Sequence, residues 1–167
     1  MSKTLKATII FVVILVVAQL VRPDHANPPI DASRTIQAHA GIVRAVPAIL
    51  DRSCGTCHSN ATPWPWYSQV APLSWVYAGM VRKGRKAVNF SEWAAYQPDE
   101  QRELMTLACD DVKDGTMPGL YTKVNPEARL SAQDIATICS AAVAIQPPST
   151  PASTATTAQQ SGVTRAR

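Results

Sequence analysis

The run Cys54-Gly55-Thr56-Cys57-His58 constrains this chain more than any other feature. Two thiols three positions apart, followed at once by an imidazole, form the C-x-x-C-H pattern of a c-type haem attachment site. Each thiol can form a thioether with one vinyl group of the porphyrin. The adjacent histidine is then held beside the ring, where its nitrogen can ligate the iron. A chain with such a site must fold around a large flat cofactor. The cofactor implied is one haem c, covalently attached at Cys54 and Cys57 and ligated by His58.

Charge narrows the partners. The chain has 167 residues, 46% of them hydrophobic, which suits one modest domain plus tails. Its formal net charge is +4, but 11 Lys and Arg balance 11 Asp and Glu between Asn27 and Gln146. The excess sits in Lys3, Lys6, Arg22, Arg165 and Arg167, less Asp24. No broad basic patch interleaves with aromatics, so nucleic-acid binding finds no support. The short cluster Arg82-Lys83-Arg85-Lys86 reads as a solvated helix end.

The N-terminus points to export. Ala7 to Val21 (ATIIFVVILVVAQLV) is almost wholly apolar and follows Lys3 and Lys6. A positive stretch before an apolar core is the layout of a secretory signal. The run is short for a span of about 20 residues, although Leu5 and a snorkelling Lys6 extend it. A cut after Ala26 would place Asp24 three residues before the cleavage point, where a small side chain is wanted. Residues 1–26 therefore read as an uncleaved signal anchor, a transmembrane helix and linker, with membrane lipid as its partner. Lys3 and Lys6 stay cytoplasmic by the positive-inside rule. The expected location is the bacterial inner membrane with the domain facing the periplasm. Bacterial c-type haem is attached on that side, so the two signals agree.

Helical patterns fill the remainder. Arg22 to Asp31 carries three prolines and reads as a linker. Ser33 to Leu50 suits one or two helices, with Pro47 opening the second or kinking the first. Pro72 to Lys83 places Leu73, Val76, Tyr77 and Met80 at helical spacing, with Gly84 as a stop. Pro98 suits a first helical turn, and Asp99, Glu100 and Glu103 favour a helix N-terminus. Leu104, Leu107, Ala108 and Val112 form that helix's stripe, and Gly115 ends it. Ser131 to Ile145 opens with a Ser131/Asp134 capping box. Ile135, Ile138, Cys139, Ala142 and Ile145 share its apolar face. No hairpin signal stands out. The fold class is all-α: a small cytochrome c-like domain of about four to five helices over residues 27–146. A disordered Ser/Thr/Pro-rich tail is expected over 147–167.

Cys109 and Cys139 each fall in an apolar helical stretch. They are either two buried thiols or a disulfide, and a disulfide needs an oxidising compartment. A bridge would close a loop of about 30 residues, for which chain entropy gives on the order of 3–4 kcal/mol.

An electron-carrying haem iron wants a second protein ligand. The candidates are His25, His39, Met80, Met105 and Met117. His25 lies in the tether and His39 in an early helix. Met80 sits on an apolar helix face, where core packing is the plainer role. Met105 is mid-helix and partly exposed. Met117 lies in a loop, Gly115-Thr116-Met117-Pro118-Gly119, where glycines allow close backbone approach to a flat cofactor. It is the expected ligand opposite His58, with a core plug as the alternative. Trp64, Trp66, Tyr67, Trp75 and Tyr77 crowd one stretch, where they either cover porphyrin edges or pack a core. A carbonyl from Pro63 or Pro65 is the expected acceptor for the His58 Nδ1 proton.

The residues in order resemble a known family. Asn27-Pro28-Pro29-Ile30-Asp31 precedes Cys54-Gly55-Thr56-Cys57-His58-Ser59-Asn60, then Trp64-Pro65-Trp66-Tyr67. Asn89-Phe90-Ser91-Glu92-Trp93, Met117-Pro118 and Asn125-Pro126-Glu127-Ala128-Arg129-Leu130 follow. This resembles the haem-binding-domain family of bacterial cytochrome c-like proteins. The resemblance covers roughly Asn27 to Gln146 and the preceding anchor. It implies a mono-haem domain, often anchored facing the periplasm, with His58 proximal and Met117 distal. Members also tend to carry cysteines near the positions of Cys109 and Cys139.

The expected function is a membrane-anchored mono-haem carrier of single electrons, with a redox protein as partner and no catalytic residue. The alternative is a haem-based sensor or peroxidase-like enzyme, which needs Met117 off the iron or displaceable. A thiol redox role for Cys54 and Cys57 would want a βαβ setting. A zinc site would want a fourth ligand, which Cys54, Cys57 and His58 do not supply.

Overall fold

The computed structural model describes residues 2–39 and 44–145. The tail expected to be disordered lies outside these residues. Within them the chain is helical, with no strand. The α-helices are α1 Lys3–Ala18, α2 Ala45–Ser53, α3 Gly55–His58, α4 Leu73–Ala87, α5 Pro98–Lys113 and α6 Ala132–Ala144. Short 3-10 turns join them.

The core forms where three helices and two 3-10 segments bring their apolar faces together. Val46 and Leu50 of α2 meet Met105 and Val112 of α5 and Ile138 and Ala141 of α6. Ile36, Phe90 and Trp93 close the cluster from the 3-10 segments. Met105 is fully buried, which corrects the partly exposed placement expected for it. Thr106 beside it is exposed, while Leu104 and Ala108 pack against the edge of the cluster and the stripe shared with Cys109 and Val112 reaches inside. α5 and α6 make the most extensive helix pair. Cys109 and Cys139 join them, with the sulfurs 2.06 Å apart and the Cα atoms 4.8 Å apart.

Helix ends follow local chemistry. Pro98 opens α5, and the Gln97 N–H donates to Glu100 Oε2 at 2.8 Å. Gly115, at φ +79°, ends α5 in the left-handed conformation that helix C-termini favour. In α6 the Ser131 N–H donates to Asp134 Oδ2 at 2.8 Å, and the Asp134 N–H donates to Ser131 Oγ at 3.1 Å. These bonds, with Arg52 nearby, hold the Asp134 carboxyl below the usual carboxylate range. A depressed folded value stabilises above the unfolded value of 3.8 and is lost as pH falls through the acid range. Ser131→Ala should therefore cost about 1 kcal/mol, measured by denaturant unfolding at neutral pH. The deficit should shrink as pH drops below that unfolded value.

Three expectations about elements are corrected. The first of the helices expected over Ser33 to Leu50 is replaced by 3-10 turns at Ala32–Arg34 and Ile36–Ala38, whereas the second, α2, begins at Ala45 with Pro47 in its first turn. The Asp31 carboxylate takes both the N–H and hydroxyl of Ser33, at 2.9 and 2.6 Å, and sets the first turn. Gly84 does not stop α4, which runs on to Ala87.

The third correction concerns the N-terminus. α1 has 16 residues. At about 1.5 Å per residue it is about 24 Å long, short of a hydrocarbon core of about 30 Å. No helix among the described residues is long and apolar enough to cross a membrane, so the expected transmembrane helix is replaced by a shorter apolar one. The helix stops because Gln19 turns its amide back to Leu15 O at 3.1 Å and across to Ala71 O at 3.2 Å. None of the α1 residues is buried.

Candidate functional site

The C-x-x-C-H run forms one tight turn. α2 ends at Ser53, and the Cys57 and His58 N–H groups both donate to Cys54 O, at 3.1 and 3.0 Å. That winding presents Cys54, Cys57 and His58 to one cavity of about 440 Å³. α4 supplies Met80, Lys83, Gly84 and Ala87 to the cavity wall. α5 supplies Leu104, Leu107, Ala108, Asp111 and Val112. Met117, Pro118 and Tyr121 close it from the loop after α5, and Ile138 from α6. The lining is apolar apart from Lys83, Asp111 and a few hydroxyls.

Close approach of α4 to the motif depends on Gly84. A Cβ there would lie 2.5 Å from Cys57 O and 3.0 Å from Cys57 Cβ. Such contact admits no side chain without moving backbone. The same approach brings the end of α4 to His58, whose Nδ1 lies 3.2 Å from Val88 O. Val88 caps α4, so its carbonyl is free of the helix ladder. This corrects the acceptor expected from Pro63 or Pro65. Pro63 O instead accepts the Tyr77 hydroxyl at 3.1 Å, and Pro65 O accepts Ser68 Oγ at 2.6 Å. With Nδ1 as the donor, Nε2 is the nitrogen left to act as a ligand. Burial also holds the His58 imidazole below its usual range, in the neutral form that binds metals.

The two thiols are partly buried, and both are held in the uncharged form. Burial pushes Cys54 up to about 12 and raises Cys57 as well. Reactive dithiols show the opposite, a depressed value in an electropositive setting. The geometry therefore does not favour thiol redox chemistry.

Of the five candidate second ligands, the cavity holds Met80 and Met117. Met80 is 40% exposed, so it is wall rather than core. His25 packs on Trp64 with ring centroids 4.5 Å apart, and His39 sits 3.1 Å from Thr35 O through Nδ1. Neither belongs to the cavity lining, nor does the buried Met105. Met117 is fixed by local bonds: its N–H donates to Asp111 O at 3.1 Å, and Gly119 beyond it has φ +52°. Tyr121 ties this loop to the motif, donating to Thr56 Oγ1 at 3.1 Å.

The aromatic-rich stretch lies elsewhere. Trp64, Trp66, Tyr67, Trp75 and Tyr77 are absent from the cavity wall, where Phe90 and Tyr121 supply the rings. Trp64 and Tyr67 each pack on Tyr77 with centroids 5.8 Å apart. The cationic cluster on α4 is also more than a solvated end. Arg85 donates to Ser59 O at 2.8 Å, Asn27 Oδ1 at 2.7 Å and Thr62 Oγ1 at 2.8 Å, pinning the loop after the motif. Tyr121 and Arg85 escaped sequence reasoning. Only the nearness of Tyr121 to Met117 hinted at a role.

A family model described as a haem-binding domain matches residues 13–143. The chain belongs to the haem-binding domain family. No curated protein and no solved structure matches it. The cavity suits the haem that this family binds. A largely apolar cavity is walled by α4 and α5, with the neutral His58 imidazole and the side chains of Met80 and Met117 in its lining. Ser53 Oγ, in the same wall, is buried without a hydrogen-bond partner. Among the described residues no group of three or more His, Cys, Asp or Glu is placed to hold a metal ion directly.

Proposed function

We propose that this haem-binding domain carries one covalently attached haem c and passes single electrons in the periplasm. The observation that carries the reading is the meeting of Cys54, Cys57, His58 and Met117 in one cavity. Cys54 and Cys57 would hold the haem by thioether bonds formed when each S–H adds across a vinyl group, and His58 Nε2 and Met117 Sδ would be its iron ligands. Val88 O orients the His58 imidazole through Nδ1. The bound group supplies one-electron chemistry, and His/Met ligation raises its potential relative to two nitrogen ligands. The apolar walls from α4, α5 and α6 exclude water and stabilise the less charged state.

Export and membrane attachment complete the reading. Lys3 and Lys6 stand in the first turns of α1, whose remaining residues are mostly Thr, Ile, Val, Leu and Phe and of which none is buried by the fold. A helix apolar on every side and left uncovered by the fold is suited to lipid contact. The domain then faces the periplasm of the inner membrane, where the thioether bonds form, and exchanges electrons with a redox protein.

Met117→Ala is the test of the distal ligand. The haem should stay attached and the potential should fall. The far-red band of a sulfur–iron bond should vanish from the ferric spectrum. The reduced protein should then bind carbon monoxide rapidly. An unchanged spectrum and potential would exclude Met117, and Met80→Ala would then be the variant to compare. Rapid carbon monoxide binding by the unaltered protein would favour the sensor or peroxidase-like reading.

A further inference from the structure

The face of the domain next to α1 has apolar side chains that nothing in the fold covers. Trp66 is 78% exposed and Leu73 54%, and Val70, Trp75 and Val76 beside them are also open. Exposed apolar residues gathered in this way mark a contact surface. No Lys, Arg, Asp or Glu stands between Arg52 and Arg82, so no charge in that stretch opposes entry into an apolar medium.

The junction with α1 identifies the occupant. Gln19 Oε1 takes the Ala71 N–H at 3.0 Å while its Nε2 donates to Ala71 O, a paired contact at the loop leading into α4. Trp75 Nε1 donates to Val21 O at 2.7 Å. These bonds fasten the end of α1 to the first turn of α4. Leu20, 81% exposed, continues the apolar surface between them. Lipid that covers α1 therefore reaches the patch as well. Tryptophan is a favoured side chain at that depth, because its ring is apolar and its N–H polar.

We propose that the face formed by Trp66, Leu73 and Val76 seats in the headgroup region of a phospholipid bilayer, beside the end of α1. The proposal rests on the reading that α1 attaches the chain to a membrane. It adds an orientation. From Leu73 to Gly84 α4 rises about 16 Å, so the first turn of α4 faces lipid while Gly84 and the haem cavity stand off from it.

Site-directed spin labelling of the full-length, haem-loaded protein in vesicles of phosphatidylcholine and phosphatidylglycerol tests this. Nitroxides are placed singly at Phe11→Cys on α1, at Leu73→Cys or Trp66→Cys on the face, and at Leu120→Cys beside the cavity. Collision with oxygen, which concentrates in lipid, is compared with collision with a water-soluble nickel chelate. The labels at 11, 66 and 73 should favour oxygen and the label at 120 the chelate. Labels at 66 and 73 as open to the chelate as that at 120, with the label at 11 in lipid, would overturn the docked face and leave the attachment standing. A label at 11 in water would overturn both. Dipolar broadening between copies at 73 would assign the face to a second copy of the chain and overturn the lipid assignment.

Discussion

Replacing Gly84 by alanine should destabilise the protein by about 3 kcal/mol, the upper end for overpacking a close contact. The added methyl would meet Cys57 O at 2.5 Å and Cys57 C at 2.9 Å. Both are backbone atoms of the motif and cannot rotate away. α4 must then lift from α3, which carries Val88 O away from His58 Nδ1 and opens the cavity beside Cys57. Haem content after maturation should fall along with stability. The same helix provides a control. At Gly79 a Cβ would meet nothing within 4 Å, so Gly79→Ala should stabilise by about 1 kcal/mol through helix propensity alone. Denaturant midpoints and haem-to-protein ratios for the two variants decide the matter. Equal effects at Gly79 and Gly84 would mean that α4 does not depend on close approach to the motif.

The second large effect belongs to the thiols. Cys57→Ala should leave at most a single thioether, at Cys54, and Cys54→Ala the reverse. The double variant should carry no haem that survives acid–acetone extraction, while the helical fold survives because the motif touches the core cluster only at its edge, through Cys54. Circular dichroism separates loss of haem from loss of fold. Extraction-resistant haem in the double variant would exclude both thiols as attachment points.

The parts of this architecture that were legible in the sequence are those written within a few residues. The motif spacing specifies one turn that presents both thiols and the imidazole together. The Ser131/Asp134 box and Pro98 mark helix starts because capping is local chemistry. The Met117 loop was legible because two glycines flank a thioether. What was hidden depends on segments distant along the chain. Gly84 reads as a helix stop until Cys57 lies against it. Val88 O could not be chosen over Pro63 O without the packing of α4 on α3. Whether the tryptophans cover the porphyrin or pack elsewhere stays open in the sequence, because composition says how many rings there are and nothing about where they point. The length of α1 was overestimated because Gln19, polar yet tolerated in an apolar run, is recruited by Ala71.

The disulfide between Cys109 and Cys139 lies directly behind the cavity. Cys109 adjoins Ala108 and Cys139 adjoins Ile138, and both of those neighbours line the wall. The bridge joins the two helices that form this side of the cavity, so it supports the haem pocket as well as the core.

The central claim is that haem is joined to this chain through Cys54 and Cys57. Full-length protein matured in a bacterial periplasm should be denatured and extracted with acid–acetone, and the pyridine haemochrome spectrum of the precipitate recorded. Haem that stays with the polypeptide, with the spectrum of a porphyrin whose two vinyl groups have become thioethers, is the result expected. Haem that leaves entirely with the solvent, with the vinyl groups intact, would contradict it.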